Sequence, residues 1–240
     1  MRAILAACCL VAACAPACAE TLNAPTIKAG DTWVYRVTTE KSTTGWSQTR
    51  DETTVTRVTP SSIYYTLKAS GSTQPPKELF AGLDWSRVRD VNGKETTVNR
   101  PLSFPLTVGK TWDLQYTEPH PNKNFRSEEW SIKYTVVGLE TVEVPAGKYN
   151  ALKIEAEGRW TADLEPAQTV TQGAQSNADG TSMSTQVQKT KERTVTGRTY
   201  KAFWYVPEVK RWVKSIEEYY GSGGVRNESY TGELEGFKAD

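Results

Sequence analysis

The stretch from Val136 to Glu155 constrains the fold of this chain more than any other. Val142 and Val144 alternate with Glu143, Pro145-Ala146-Gly147 interrupts the series, and Tyr149, Ala151 and Ile154 take it up again. Successive side chains of a strand point to opposite faces, so a period of two puts the apolar residues on one side. Proline presets φ for the second position of a turn, and glycine two residues later accepts φ > 0. The pattern predicts an antiparallel hairpin with one wet and one buried face. It carries no chemistry of its own.

The rest of the chain repeats this grammar. Trp33, Tyr35 and Val37 share a face of a strand that begins near Asp31, and Gly45 marks a turn. Trp46 to Val58 reads as a long Thr-rich strand, and Thr59-Pro60-Ser61 turns it into Ile63 to Leu67. After a loop from Ser70 to Pro76, Trp85 to Val91 forms a strand, and Asn92-Gly93 predicts a type I′ hairpin turn. Pro101 to Pro105 is a linking segment. Val108-Gly-Lys-Thr-Trp112 then echoes Ala29-Gly-Asp-Thr-Trp33, by duplication or by convergence on one way of opening a strand. Pro119 to Asn122 reads as a wide turn, followed by strands from Glu128 to Val137 and from Tyr149 to Thr161. Residues 162–186 are rich in Gln, Ser, Thr, Ala and Gly and read as a mobile insert between two strands. Four strands close the chain: Val187–Thr196, Arg198–Val206, Arg211–Tyr220 and Val225–Gly236. Helical periodicity never lasts three turns. The expectation is one all-β domain over 31–238, preceded by a tether over 20–30.

Residues 1–19 read as a signal peptide: Arg2 precedes an apolar run far too short to span a bilayer. Two cleavage readings stand open. Ala17-Cys18-Ala19 before Glu20 gives a soluble periplasmic or secreted protein, whereas Val11-Ala12-Ala13-Cys14 gives a lipoprotein acylated at Cys14 and anchored to a membrane. All 4 cysteines, Cys8, Cys9, Cys14 and Cys18, lie in this leader. Cleavage after Ala19 leaves no thiol for a disulfide, so sheet packing must hold the fold. The mature chain carries no transmembrane segment by this reading. Net charge is +1 over 240 residues, with acids and bases interleaved, which favours neither nucleic acid nor an anionic surface as a partner.

Three motifs occur in order: the openings Gly30/Trp33 and Gly109/Trp112, then Val142-Glu-Val-Pro-Ala-Gly-Lys-Tyr-Asn-Ala-Leu-Lys-Ile154, then Phe203-Trp-Tyr-Val-Pro-Glu-Val-Lys-Arg-Trp-Val-Lys214. Together they resemble the TapB-like family of exported bacterial proteins of unknown function, over roughly Thr32 to Phe237. Lys210 and Arg211 stand where a glycine is frequent in that family. The resemblance implies a single antiparallel, strongly curved sheet, a half-barrel or open barrel. It implies no activity and no catalytic residues.

Candidate chemistry is sparse. The single histidine, His120, has no Cys or acid cluster beside it to make a metal site or a triad. The acid pairs Asp51/Glu52, Glu128/Glu129 and Glu217/Glu218 are adjacent on strands, so the members of each pair face opposite sides. No Gly-x-Ser-x-Gly elbow occurs, and Gly221-Ser-Gly-Gly224 leads into a strand and not a helix N-terminus. No catalytic residue, metal ligand or cofactor is expected. The aromatics have two readings, core packing or a groove open to an acyl chain. On the second, Trp33, Trp112, Trp204 and Tyr205 line a concave face that binds a lipid-like or other apolar ligand. The expected function is that of a non-catalytic envelope β protein. A structural or assembly partner presenting an edge strand, and an envelope hydrolase, are the alternatives.

Overall fold

A computed structural model of the chain describes residues 21–165, 167–176, 182–191 and 193–239, the two middle segments by backbone alone. The leader, with Cys14 and both cleavage positions, lies outside the described residues, as does the tip of the expected insert, 177–181. The strands are β1 (Thr32–Lys41), β2 (Gly45–Val58), β3 (Ser62–Ala69), β4 (Lys77–Gly82), β5 (Arg87–Val91), β6 (Lys94–Asn99) and β7 (Thr111–Asn122). They continue with β8 (Phe125–Val144), β9 (Gly147–Leu164), β10 (Ala167–Ser176), β11 (Ser182–Lys191), β12 (Thr194–Val206), β13 (Arg211–Tyr220) and β14 (Arg226–Lys238). The described residues contain no helix. Ten strands form one antiparallel sheet in the order β4-β3-β2-β1-β14-β13-β12-β9-β8-β7. Pairing of β1 with β14 joins the start of the domain to its end.

The hairpin that opened the sequence reading is present as β8 and β9. Val144 pairs with Gly147 across Pro145-Ala146, and Gly147 has φ 135°. Asn92 and Gly93 both take positive φ, 53° and 75°, as a type I′ turn requires. The two Gly-x-x-Trp openings share one hydrogen-bond pattern. Gly30 N–H donates to Val55 O and Val55 N–H to Asp31 O; Gly109 N–H donates to Val136 O and Val136 N–H to Lys110 O. A register shift follows each of these valines on its strand, between Val55 and Arg57 and between Val136 and Gly138.

Several elements differ from the sequence reading. β4 has too short an alternation to be read. The residues Pro119 to Asn122 belong to β7, which shifts register there, so the chain reverses only at 123–124. β9 continues to Leu164 with Ala162 fully buried, and β12 runs unbroken from Thr194. Beyond them β10 and β11 pair with each other, from Ala167↔Lys191 to Ser176↔Ser182. Sequences such as Thr-Val-Thr-Gln and Ser-Thr-Gln-Val have β propensity without apolar contrast, so no period of two is visible there.

Facing residues of the paired strands define two faces. One carries Trp33, Val136, Ile154 and Phe203 and packs the core. No helix covers it. Irregular chain does, with Leu102 and Leu106 fully buried, Ile27 buried and Phe104 set against the Tyr205 ring at 5.5 Å. The segment read as a tether is pinned here, Leu22 and Leu106 exchanging both backbone hydrogen bonds. β5 and β6 pair as a separate hairpin, with β5 against β4 and β6 against β7.

Candidate binding faces

The four aromatics read from the sequence do not share one surface. Trp33 is fully buried and its indole N–H donates to Val209 O at 2.8 Å. Tyr205 is buried as well. Trp112 is half-buried, stacked on Tyr134 at 5.3 Å, and donates to Arg100 O. Trp204 points to the opposite, outer face. Its strand neighbours are Lys153 and Lys214, whose ammonium groups lie 5.3 and 5.8 Å from its ring. Their aliphatic stems bury it, and its indole N–H has no partner among the described residues.

A different set of aromatics forms a run on the core-facing side, toward the end where β8 begins and β9 ends. Tyr116 stacks on Trp130 at 6.1 Å, and Trp130 meets Trp160 at 6.3 Å and Tyr219 at 6.2 Å. Phe125 joins Trp160 at 6.4 Å, and Tyr219 joins Tyr230 at 6.2 Å. All six are half-buried. The small residues between them make the run possible. A Cβ on Gly197 would stand 2.4 Å from the Trp160 ring, so glycine there lets the indole lie flat against the strand.

Beside this run sits a charged pair. Lys201 and Glu217 face each other across β12 and β13 with Nζ and Oε2 2.9 Å apart, and the lysine side chain is only 3% exposed. Tyr219 donates to the same carboxylate oxygen at 3.0 Å. Burial alone would lower the lysine, but the Glu217 charge outweighs it and its pKa is raised. Burial alone would raise Glu217, but Lys201 outweighs it and the acid is held low. Tyr134 stands next to the pair and donates to Asn99 Oδ1 at 2.8 Å, tying the β5–β6 hairpin to the sheet. Lys201 is legible in hindsight: it is a charge in the period-two series Lys201, Phe203, Tyr205. A second cation, Arg211, is packed among four rings, 4.2 Å from Trp85 and 4.7 Å from Trp212, with Trp33 and Tyr35 beyond. Cation–π attraction of this kind is strengthened by desolvation. Burial pushes the Tyr35 phenol up to about 12, against the pull of Arg211.

The acid pairs divide as strand geometry requires. Glu217 faces the core, while Glu218 turns outward to Arg226 and Tyr220. Such a pair cannot act together on one bond. His120 is exposed, with its Nε2 3.6 Å from Glu165. The described residues hold no group of three His, Cys, Asp or Glu placed to bind a metal, and no helix long and apolar enough to cross a membrane.

A groove of about 860 Å3 lies on the outer face over β8, β9, β12 and β13. Ser131, Arg159, Arg198 and Tyr220 cross it as one row of facing residues, and Lys133, Glu157 and Tyr200 as the next.

No family model matches the chain, so the likeness to the TapB-like family remains a resemblance of motifs. No curated protein matches it either. Among solved structures, a candidate lipoprotein from Parabacteroides distasonis is 16% identical and covers 91% of this chain and 100% of its own, with a TM-score of 0.44. A candidate exported protein with a YmcC-like fold from Bacteroides fragilis is 15% identical over the same shares, with a TM-score of 0.42. At these values neither decides family or function.

Proposed function

We propose that the protein is a non-catalytic binding module of the bacterial cell envelope that holds a lipid-like or other apolar ligand against a curved aromatic face. The observation that carries this is the run of six half-buried rings from Tyr116 to Tyr230. A run of rings left half-covered is unusual for plain core and suits contact with an acyl chain. Trp112, of the residues read from the sequence, lies on the same face, with the Leu114–Ile132 row between it and this run. A ligand covering about 200 Å2 of apolar surface would gain roughly 5 kcal/mol before the cost of association.

Curvature of the sheet is part of the reading. Trp130 on β8 and Tyr219 on β13 lie three strand steps apart, roughly 14 Å along a flat sheet. Their ring centroids are 6.2 Å apart, which supports a sheet that bends toward its core face. The hairpin β5–β6, set against both edge strands, supports an open barrel. Export rests on the leader, with Glu20 as the mature N-terminus and acylation at Cys14 as the alternative that mass spectrometry of the native protein separates. Strand addition at an edge has less support. β4 has 6 residues and β7 carries Pro119 and Pro121, features that discourage pairing with another chain.

The test is binding of a fluorescent fatty-acid probe by the purified protein, with near-UV dichroism recorded on the same sample. Trp130→Ala should weaken binding at least tenfold, and Trp46→Ala, at an exposed position on β2, should leave it unchanged. No binding by a protein with native dichroism would end this reading.

A further inference from the structure

The outer groove carries an arrangement that sheet formation does not explain. Arg159 and Arg198 are directly facing residues on β9 and β12. Like charges placed directly opposite on a sheet repel, with Cβ atoms roughly 5 Å apart. A salt bridge normally relieves such a pair, yet neither arginine makes an ion pair among the described residues. Arg198 lies over the Tyr220 ring at 4.2 Å; Arg159 makes no hydrogen bond, ion pair or ring contact among the described residues. Two of the nearby carboxylates are engaged elsewhere. Glu155 accepts from Lys153 and Tyr200, each at 2.9 Å, and Glu218 accepts from Arg226 at 2.8 Å and Tyr220 at 2.6 Å. Lys133, Arg159, Arg198 and Glu157 make no ion pair among the described residues; Lys133 faces Glu157 across β8 and β9, which leaves the charge of the two arginines in excess in the groove.

We infer that this groove is a second binding site, distinct from the aromatic face, and that it takes an acidic oligosaccharide. The anionic requirement comes from the facing arginines, which a ligand carboxylate would bridge by bidentate hydrogen bonds. The saccharide requirement comes from the rest of the lining. Ser131, Thr135 and Glu157 offer donors and acceptors along the floor, and Val137 is the one aliphatic side chain in it. An acyl chain laid here would strip water from these groups without replacing its hydrogen bonds, whereas ring hydroxyls replace them. Tyr200, in the next row, supplies a flat surface on which a sugar ring packs, while the Tyr220 ring holds the Arg198 guanidinium in the groove. The volume, about 860 Å3, falls within the roughly 300–1,000 Å3 of small-ligand clefts and leaves room for several rings.

Calorimetry of the whole protein with tetragalacturonate tests this. Binding should weaken at least tenfold in Arg159→Ala/Arg198→Ala, weaken further as salt rises, and be restored only in part in Arg159→Lys/Arg198→Lys, which keeps the charge and loses the bidentate fork. Both arginines are exposed, and the alanine variant also removes their repulsion, so its urea midpoint should be no lower than that of the parent and that of the lysine variant should match it, which keeps unfolding out of the comparison. Absence of binding, or equal affinity in the double alanine variant, would overturn the site. Equal affinity for neutral maltotetraose would overturn the role of charge, and equal affinity for tetra-aspartate would overturn the choice of a saccharide. None of these results bears on the fatty-acid probe, which reports the opposite face.

Discussion

Removing either partner of the Lys201–Glu217 pair should destabilise the protein far more than removing both. The lysine side chain is 3% exposed and the glutamate 26%, so each charge depends on the other for most of its solvation. Breaking a buried pair from one side typically costs 3–5 kcal/mol, because a charge is left without its partner in a poorly solvating place. Glu217→Gln belongs at the upper end of this range. It leaves the buried ammonium with the Tyr219 ring, 5.6 Å away, in place of a carboxylate. Lys201→Met belongs at the lower end, since Glu217 keeps the Tyr219 hydroxyl and is partly open to water. The double variant Lys201→Met/Glu217→Leu removes both charges while keeping volume, and should lie within about 1 kcal/mol of the parent. The cycle therefore predicts a coupling of about 5 kcal/mol or more, measured by urea unfolding at pH 7 with dichroism and Trp fluorescence. Glu217 has a lowered pKa when folded, so its share of stability is present above about pH 4.5 and fades as pH falls through the folded value. Lys201 has a raised pKa, so its share persists up to about pH 10.5 and fades above it. Additive single-variant effects, or a parent and double variant with identical loss below pH 4.5, would refute this account of the pair.

Two glycine substitutions should destabilise for different reasons. Gly147→Ala meets nothing closer than the Tyr149 ring at 3.9 Å, but φ is 135°, so backbone strain alone should cost about 1 kcal/mol or more by thermal melting. Gly197→Ala puts a Cβ 2.2 Å from Tyr220 O and 2.4 Å from the Trp160 ring. It should cost about 3 kcal/mol and change the near-UV dichroism of Trp160, which Gly147→Ala should leave intact.

Local chemistry made much of this fold legible. Alternation is a property of the strand itself, and φ at a turn is a property of the residue there, so the β8–β9 hairpin and the Asn92-Gly93 turn can be read without knowing their neighbours. The all-β class, the two Gly-x-x-Trp openings and the closing strands β13 and β14 follow for the same reason. Facing, cover and pairing over distance are different, because they depend on residues far away in the chain. Trp204 and Phe203 are equally apolar in sequence, but the register across β9 and β13 turns Trp204 outward among lysine stems and Phe203 into the core. Leu102 reads only as part of a link between strands, yet it and the neighbouring Leu106 are fully buried against the core face. The partner of Lys201 sits 16 positions away on another strand, and Arg159 comes to face Arg198 only once β9 and β12 pair around β10 and β11. Sequence periodicity names the strands; the long-range register chooses which side chains meet, because each strand's two faces are equivalent until a neighbour buries one of them.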